Sequence, residues 1–364
     1  MAIDFSPERW QTVREAHSAW WKGELDRPLL PLTAVGTRDP GRATPAAPML
    51  SQATCHDLSW SAEQIVDRID HYLSTCTFYG DAFPMFNLDC FGPGIAGAFL
   101  GATLDNSTGR VWFHPPADMP IQDTHFEFDP TNRWFLRIQE IMAAAMDRWQ
   151  GQVLMGMPDL GGNLDILSTF LPGEKLLFEL YDHPEHVKRL TWEAYEVWFR
   201  YYDALNEVLQ PINPGYSDWS GIYSTTPGYI LQCDFCYMIG PEMFEEFVKP
   251  ELSACCRRLG CSFYHLDGPG QIPHLNSLLA IDELDGVQWV PGAGSKRCGE
   301  WPELYREIAA AGKLMQVFGD FDDFDALASV IGDVNRMHVK QLSPWARGRT
   351  DAEIRRRLSA YGGE

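Results

Sequence analysis

The chain has 364 residues, with 29 Lys and Arg against 50 Asp and Glu, and a formal net charge of −21. This charge opposes attraction to phosphate backbones and to anionic lipid, so we expect neither a nucleic-acid partner nor a membrane partner. A chain of this length buries most of its apolar surface, so its stability does not require a metal.

Short apolar runs alternate with helical patterns along most of the chain. A capped first helix is predicted from Ser6-Pro7 to Trp21, as an N-terminal helical extension. Further helices are predicted at 61–79, 174–210, 241–259, 301–311 and 321–331. The predicted strands are 28–35, 85–89, 153–159, 214–221, 261–267, 286–292, 313–320 and 337–342. Eight strands that alternate with helices indicate an α/β protein with a TIM (β/α)₈ barrel.

No linker or repeat divides the chain, so residues 1–364 are predicted to form a single barrel domain with its core at 28–342. The segment 90–150 is a long excursion after the second strand, and we expect it to cap the barrel mouth. Most predicted strands end in polar residues. TIM barrels carry their chemistry at the C-terminal ends of the strands, so these residues are the candidates for a site.

His265 and Asp267, in the stretch FYHLDGPG, are the leading candidates for catalysis. Side chains alternate along a strand, so both point to the same face. An imidazole beside a carboxylate serves as a proton-transfer pair or as two ligands of a divalent ion. A hydrogen bond that only holds a loop is the alternative.

Other strand ends supply further candidates. Asp218 and Asp234 flank the fourth predicted strand and its loop, and carboxylates that converge in a cleft can act as general acids. Five residues are candidates for substrate binding: Asn87 and Asp89 after strand two, Gln288 and Trp289 at strand six, and Gln341 at strand eight. Each of the carboxylates is alternatively a turn or helix-capping residue.

The nine cysteines have no secreted-type spacing, so we expect reduced thiols in a cytoplasmic protein. The acidic, polar N-terminus predicts no signal peptide, and no apolar run reaches membrane-spanning length. CDFC (233–236) has a spacing that can seat zinc or support redox exchange, but no second pair completes a four-thiolate site. Two buried apolar thiols, or a mixed metal site that joins Cys236 to His265, are the alternatives.

Three stretches carry a resemblance to a known superfamily. IGPEMFEEFVKPEL (239–252), GMPDLGGNLDIL (156–167) and HLNSLLAIDELDGVQWVPG (274–292) resemble the uroporphyrinogen decarboxylase superfamily. The resemblance runs from about residue 28 to the end and implies a TIM barrel. It also implies one of two reactions, because the superfamily contains porphyrinogen decarboxylases and corrinoid-linked methyltransferases.

The sequence departs from the decarboxylase branch. Where true decarboxylases carry an Arg-Gln-Ala-Gly-Arg element, this chain reads TAVGTRDPGR, with only Arg38 and Arg42 nearby. An octacarboxylate substrate therefore lacks its cationic partners. The resemblance favours methyl transfer on this point.

The methyltransferase branch implies a zinc site formed by a His-x-Cys element and a later cysteine. Here the first element is His265-Leu266-Asp267, and Asp320 stands where the later thiolate is expected. A site of His265, Asp267 and Asp320 would offer zinc harder, oxygen donors in place of thiolates, and it would also accept other divalent ions. No corrinoid-binding Asp-x-His-x-x-Gly motif is present, since Asp123-Thr124-His125 continues as Phe-Glu-Phe. Any corrinoid would therefore arrive on a partner protein or bind free.

The sequence thus predicts a corrinoid-linked methyltransferase or demethylase that acts on a small organic methyl donor. A carboxy-lyase that releases carbon dioxide from a smaller acid is one alternative. A non-catalytic barrel that binds a corrinoid or a partner enzyme is another. The resemblance also implies a homodimer, although no stretch of the sequence locates an interface.

Overall fold

The computed structural model describes residues 3–363 as a mixed α/β protein. The helices are α1 (Pro7–Trp21), α2 (Ala62–Ser74), α3 (Ala96–Phe99), α4 (Arg133–Trp149), α5 (Asn163–Phe170), α6 (Lys175–Asp182), α7 (Pro184–Leu209), α8 (Pro241–Met243), α9 (Lys249–Arg258), α10 (Leu275–Leu279), α11 (Pro302–Ala310), α12 (Phe321–Ala328) and α13 (Asp351–Ser359). A π-helical turn, Phe244–Val248, joins α8 to α9. Among these residues no helix combines the length and apolar character needed to cross a bilayer.

The strands are β1 (Pro31–Ala34), β2 (Thr77–Gly80), β3 (Met85–Asn87), β4 (Thr103–Asp105), β5 (Trp112–His114), β6 (Leu154–Gly156), β7 (Gly228–Gln232), β8 (Cys261–Asp267), β9 (Gly286–Val290), β10 (Leu314–Val317) and β11 (Met337–Val339). The last five form one parallel sheet in the order β11-β10-β9-β8-β7. A parallel bridge from Leu29 to His338 extends this sheet, and β3 pairs with β6 in parallel. Helices connect these strands in sequence, as parallel pairing requires.

One face of the five-stranded sheet, here called the inner face, carries two rows of residues that run across the strands. The lower row is nearer the N-terminal ends of the strands. The lower row is apolar and consists of Ile230, Phe263, Gly286 and Leu314, which are partners in the strand register. The indole of Trp20, from α1, stacks on Phe263 with ring centroids 5.8 Å apart. Helix α1 therefore closes the N-terminal end of the inner face, which leaves the C-terminal end of the strands for chemistry.

A hairpin lies against the inner face and fills part of the space in front of it. Tyr216 and Ser224 exchange two backbone hydrogen bonds of 2.8 and 2.9 Å, and we call the segment between them the inner hairpin. The Asp218 carboxylate accepts hydrogen bonds from the backbone N–H groups of Ser220 and Ile230, both at 2.7 Å. These bonds tie the hairpin to β7.

The prediction of a strand at 214–221 was wrong, because this segment forms the inner hairpin and the strand lies at Gly228–Gln232. A proline and two glycines in PGYSDWSG favour a turn, and the run GYILQ is the continuous apolar type that a buried parallel strand needs. The predicted strand at 28–35 is also altered. Only Leu29 joins the main sheet, while β1 pairs with β2 in an antiparallel arrangement.

The predicted helices were mostly confirmed, with shorter bounds. The first helix begins after Ser6, whose side chain caps it. The helix predicted at 174–210 is divided at His183, directly before Pro184, because a proline disfavours helical backbone in the residue before it. The segment 90–150 contains the β4–β5 antiparallel hairpin and α4.

We predict that the Arg27–Asp81 ion pair is a major source of stability. Both oxygens of the buried Asp81 accept from the Arg27 guanidinium at 2.8 Å, and one also accepts from the Leu30 backbone N–H. Asp81→Ala removes the buried carboxylate that accepts from both the guanidinium and the Leu30 N–H, so the free energy of unfolding should fall by about 3 kcal/mol in urea titrations. The exposed pair of Lys175 and Asp118 supplies the control, and Asp118→Ala should change stability little. Equal losses in the two variants would contradict the prediction.

Candidate functional site

The upper row of the inner face is polar and crosses all five strands of the sheet. It consists of Gln232, His265, Gln288, Gln316 and His338, which are register partners from β7 to β11. Gln288 and Gln316 are fully buried. Buried amides are retained in folded proteins when they are hydrogen-bonded, so their partners define what the row does.

The hydrogen bonds of this row run in one direction. The amide nitrogen of Gln316 donates to the carbonyl oxygen of Ser220, on the inner hairpin, at 3.0 Å. Because only the nitrogen can donate to a carbonyl, the amide oxygen of Gln316 faces Gln288 and accepts from its amide nitrogen. The amide oxygen of Gln288 then faces His265 and accepts from Nδ1. The backbone of the inner hairpin thus fixes the tautomer of a histidine two strands away.

The second ring nitrogen of His265, Nε2, lies near Asp267 at the C-terminal end of β8. With the proton on Nδ1, Nε2 carries the lone pair, and it lies 4.0 Å from Oδ2 of Asp267. That separation is too long for a direct hydrogen bond. The side chain of Trp219 packs edge-on against the ring, with centroids 5.0 Å apart. His265 is therefore held on one nitrogen and available on the other.

Asp234 completes a three-residue cluster with His265 and Asp267. One ligand atom from each residue lies within 4.8 Å of the other two. One imidazole nitrogen and two carboxylate oxygens suit zinc and harder divalent ions such as manganese or iron. A histidine that donates its second nitrogen to an amide oxygen is also the usual arrangement behind a metal ligand. The donor set fits a divalent ion.

Asp165 holds the turn that carries Asp234. Its carboxylate accepts from the backbone N–H groups of Asp234 and Phe235, both at 2.8 Å. On the other side, the imidazole of His274 is hydrogen-bonded to the carbonyl of Cys236 at 2.9 Å and stacks on Phe244. The second histidine of the stretch 263–275 is thus a structural residue. Both contacts act on the turn 234–238 and so fix the position of Asp234.

The carboxyl groups around the mouth have raised pKa values. Burial raises the pKa of Asp89 to about 8, and the nearby Asp159 adds to the rise. Burial also raises the pKa of Asp159 to about 7. Burial and the neighbouring Asp234 raise the pKa of Asp165 to about 8. Burial raises the pKa of Asp234, and repulsion from the nearby Asp267 acts in the same direction. Such clustered shifts are typical of functional sites.

Two predicted metal ligands lie outside the cluster. Asp320 caps α12, accepting from the N–H groups of Asp322 and Asp323, and it pairs with Arg297 at 2.7 Å. Cys236 is buried, and its sulfur packs against the Tyr264 hydroxyl at 4.0 Å. Burial also raises the pKa of its neighbour Cys233. The structure therefore places Asp234, instead of Asp320 or Cys236, beside His265 and Asp267.

The predicted substrate-binding residues also divide by position. Gln288 belongs to the polar row, and Asn87 lines a cavity in front of the sheet. Trp289 is fully buried on the opposite face, where it packs against Trp301, because consecutive strand residues point to opposite faces. Gln341 donates its backbone N–H to Gly319 and has no side-chain hydrogen bond among residues 3–363.

Two other predicted carboxylates, Asp89 and Asp218, are partly buried and buried, respectively. Both oxygens of Asp218 are committed to the inner hairpin and β7, so its role is structural. Asp89 is partly buried, and its Oδ1 atom has no hydrogen-bond partner among residues 3–363. Neither residue lies in the cluster of Asp234, His265 and Asp267.

The sequence analysis missed Gln316, His338 and Trp219. Gln288 and Gln316 are each the third residue of a strand core, in GVQWV and LMQV, so alternation could have placed them in one row. Trp219 was not recoverable in this way, because it reaches His265 from an irregular hairpin. The contact depends on tertiary packing.

A cleft of about 980 Å³ opens beside the cluster. Asp165, Gln232 and Asp234 line one wall, while Arg110, Trp112 and His114 of the β4–β5 hairpin line another. A cleft of this size accommodates a small organic substrate. The excursion after β3 thus provides one wall of the candidate site.

No family model matches the chain, and no curated protein matches it. Among solved structures, a methyltransferase from Methanosarcina mazei is similar, with a TM-score of 0.56 and 12% sequence identity. The match covers 91% of this chain and 93% of that chain. At this identity the likeness shows a shared fold over nearly the full length of both chains.

We predict that Gln288 controls the metal affinity of the cluster. Gln288→Leu removes the acceptor that holds the Nδ1 proton of His265, so the affinity for zinc or manganese should fall about 10- to 100-fold in calorimetric titrations. Trp289→Phe, at the next residue but on the other face, should bind the ion like the parent protein. Unchanged affinity in Gln288→Leu would show that the row does not orient a ligand.

We also predict that Asp89 makes stability depend on pH. Its folded-state pKa, about 8, is above its ordinary value of 3.8, so its contribution to stability is lost progressively as pH rises toward 8. The slope from this one group is at most about 1.4 kcal/mol per pH unit. Asp89→Asn should flatten the dependence in urea unfolding at pH 5, 6, 7 and 8, whereas the exposed control Asp118→Asn should not. Parallel curves for Asp89→Asn and the parent would contradict this.

Proposed function

We propose that this protein is a methyltransferase that acts on a small organic methyl compound. We further infer that its parallel strands close into a (β/α)₈ barrel of the uroporphyrinogen decarboxylase superfamily. The observation that carries the proposal is the cluster of Asp234, His265 and Asp267 beside a cleft of about 980 Å³. The fold shared with a methyltransferase over 91% of the chain supports it.

The cluster suits the activation of a heteroatom. A divalent ion bound there would act as a Lewis acid on the oxygen, nitrogen or sulfur that carries or receives the methyl group. Asp234 and Asp267 would hold the ion through their carboxylates. His265 would bind through Nε2, because Nδ1 donates to Gln288. Without an ion, the same imidazole can transfer a proton to the leaving heteroatom.

The residues around the cluster restrict the access of water to it. Trp219 packs against the His265 ring, and the β4–β5 hairpin lines the same cleft as Asp234. Exclusion of water strengthens the electrostatic effect of the cluster on a bound substrate. The substrate heteroatom would therefore approach from the cleft.

We expect the corrinoid to come from a partner protein or to bind free. A resident corrinoid needs an available imidazole in its motif. His125, the histidine of the incomplete motif, instead contacts Glu193 at 3.2 Å and Arg189 at 2.9 Å. Residues 126–128, Phe-Glu-Phe, replace the later part of that motif, so the chain lacks the complete corrinoid-binding element.

One observation favours a second candidate function, a carboxy-lyase. Asp165 lines the cleft, and its pKa of about 8 keeps a proton on this carboxyl at neutral pH. A buried carboxylic acid can donate that proton to a carbanion formed when carbon dioxide leaves. The abundance of carboxylates at the mouth disfavours an acidic substrate, which places this candidate second.

The test combines metal analysis with two product assays. The parent protein, purified without chelator or affinity metal, should contain about one equivalent of a divalent ion, and His265→Ala and Asp267→Asn should lose it. With added cob(I)alamin and a panel of methyl ethers, methylamines and methyl sulfides, the parent should methylate the corrinoid. Both variants should be roughly 10²- to 10⁴-fold slower.

Asp320→Asn is the matched control. It removes a carboxylate that the sequence predicted as a metal ligand but that lies outside the cluster of Asp234, His265 and Asp267. It should keep both the ion and the activity. Release of carbon dioxide from an acid without any methyl transfer would favour the carboxy-lyase. If no donor reacts and His265→Ala still binds a corrinoid protein like the parent, the chain is a binding barrel instead of an enzyme.

A further inference from the structure

A second cavity, of about 570 Å³, lies in front of the sheet on the β11 side of the inner hairpin. Its walls are largely apolar and aromatic, with Tyr72, Phe78, Phe86 and Trp219 among them. Lys340 is the cationic residue in its lining. This cavity does not include Asp234, His265 or Asp267. It is therefore a site separate from the metal cluster.

Strand alternation places Lys340 on the inner face. It follows His338 by two residues, and its backbone N–H continues the ladder by donating to Val317 at 3.0 Å. The ammonium donates to the carbonyl oxygen of Trp219 and lies 5.6 Å from the centroid of the Trp219 ring. It also lies 6.0 Å from the centroid of Phe318. Within residues 3–363, no carboxylate forms an ion pair with it.

The acidic groups that face Lys340 are Asp218 and Asp89, and neither neutralises it directly. Both oxygens of Asp218 accept backbone N–H groups. The pKa of Asp89 is raised to about 8, so this carboxyl is largely protonated at neutral pH. Burial lowers the pKa of Lys340 to about 8, while both carboxyls oppose that fall. His338, the other titratable group nearby, has a pKa well below its usual range and is neutral.

We propose that Lys340 is the anchor of a second ligand site, which takes a small monocarboxylate with an apolar or aromatic body. The ammonium uses one hydrogen for Trp219, which leaves two for a carboxylate. The aromatic walls suit a flat apolar body, and the volume is typical of a small-ligand pocket. A dianion such as a phosphate monoester is disfavoured, because the site supplies one cation and the carboxyl groups of Asp89 and Asp218 lie nearby.

Trp219 connects the two sites physically. Its side chain lines the second cavity and also packs against the ring of His265. The proposed carboxylate is nevertheless bound by Lys340 and not by the metal cluster. Carboxylate binding at Lys340 can therefore be tested independently of the methyltransferase function.

The first test needs only the parent protein. Benzoate, benzamide and benzylamine have nearly the same shape but are anionic, neutral and cationic, and their binding can be compared by calorimetry at pH 7. Benzoate should bind about tenfold or more tightly than benzamide, because charge-assisted hydrogen bonds are the stronger ones. Its affinity should fall as pH rises above about 8, as Lys340 loses its proton. Equal binding of benzamide, tighter binding of benzylamine, or no binding of benzoate at millimolar concentration would overturn the proposal.

Variants then assign the effect to the lysine. Lys340→Met removes the charge but keeps an apolar chain, and it should lose the preference for benzoate over benzamide. Lys340→Arg should retain it. Asp267→Asn, in the metal cluster, should bind benzoate like the parent, and loss of binding in that variant would place the anion at the cluster. If Lys340→Met does not fold, the comparison of the three ligands and the pH dependence decide.

Discussion

The hydrogen bond from Gln316 to the carbonyl of Ser220 is the constraint on which the candidate site depends. A backbone carbonyl has no alternative orientation, whereas a glutamine amide can rotate by half a turn. The carbonyl fixes Gln316, which fixes Gln288, which places the proton of His265 on Nδ1. Nε2 is thus directed to Asp234 and Asp267 before any ligand arrives. Preorganisation of this kind is what a binding or catalytic histidine requires.

A buried polar row costs stability that an apolar row would not, and the lower row shows the contrast. Ile230, Phe263 and Leu314 pack against α1 with no polar group to satisfy. Two residues further along, the same strands carry amides and imidazoles, and hydrogen bonds must offset the desolvation of these groups. The position of the upper row, directly below the cluster, explains why its residues are polar whereas the lower row is apolar.

The sequence predicted the α/β class and most strands, because each strand is an apolar run ending in polar residues. It also predicted that His265 and Asp267 lie on the same face of their strand, which follows from alternation alone. It failed at 214–221, where turn-forming residues were assigned to a strand, and at Asp320, whose capping role depends on a helix that begins beside it. Asp234 was identified as a candidate, but its place beside His265 follows from the strand at Gly228–Gln232.

The cluster itself argues for a cation. Asp234 and Asp267 are close enough to repel each other, and the pKa of Asp234 is raised in part for this reason. A single imidazole does not compensate two carboxylates, and Lys340 lines the other cavity. Like charges held together in a partly enclosed site are stable when a counterion joins them. The divalent ion that we propose would satisfy this requirement through the three ligand atoms of the cluster, and the net charge of −21 would favour its approach.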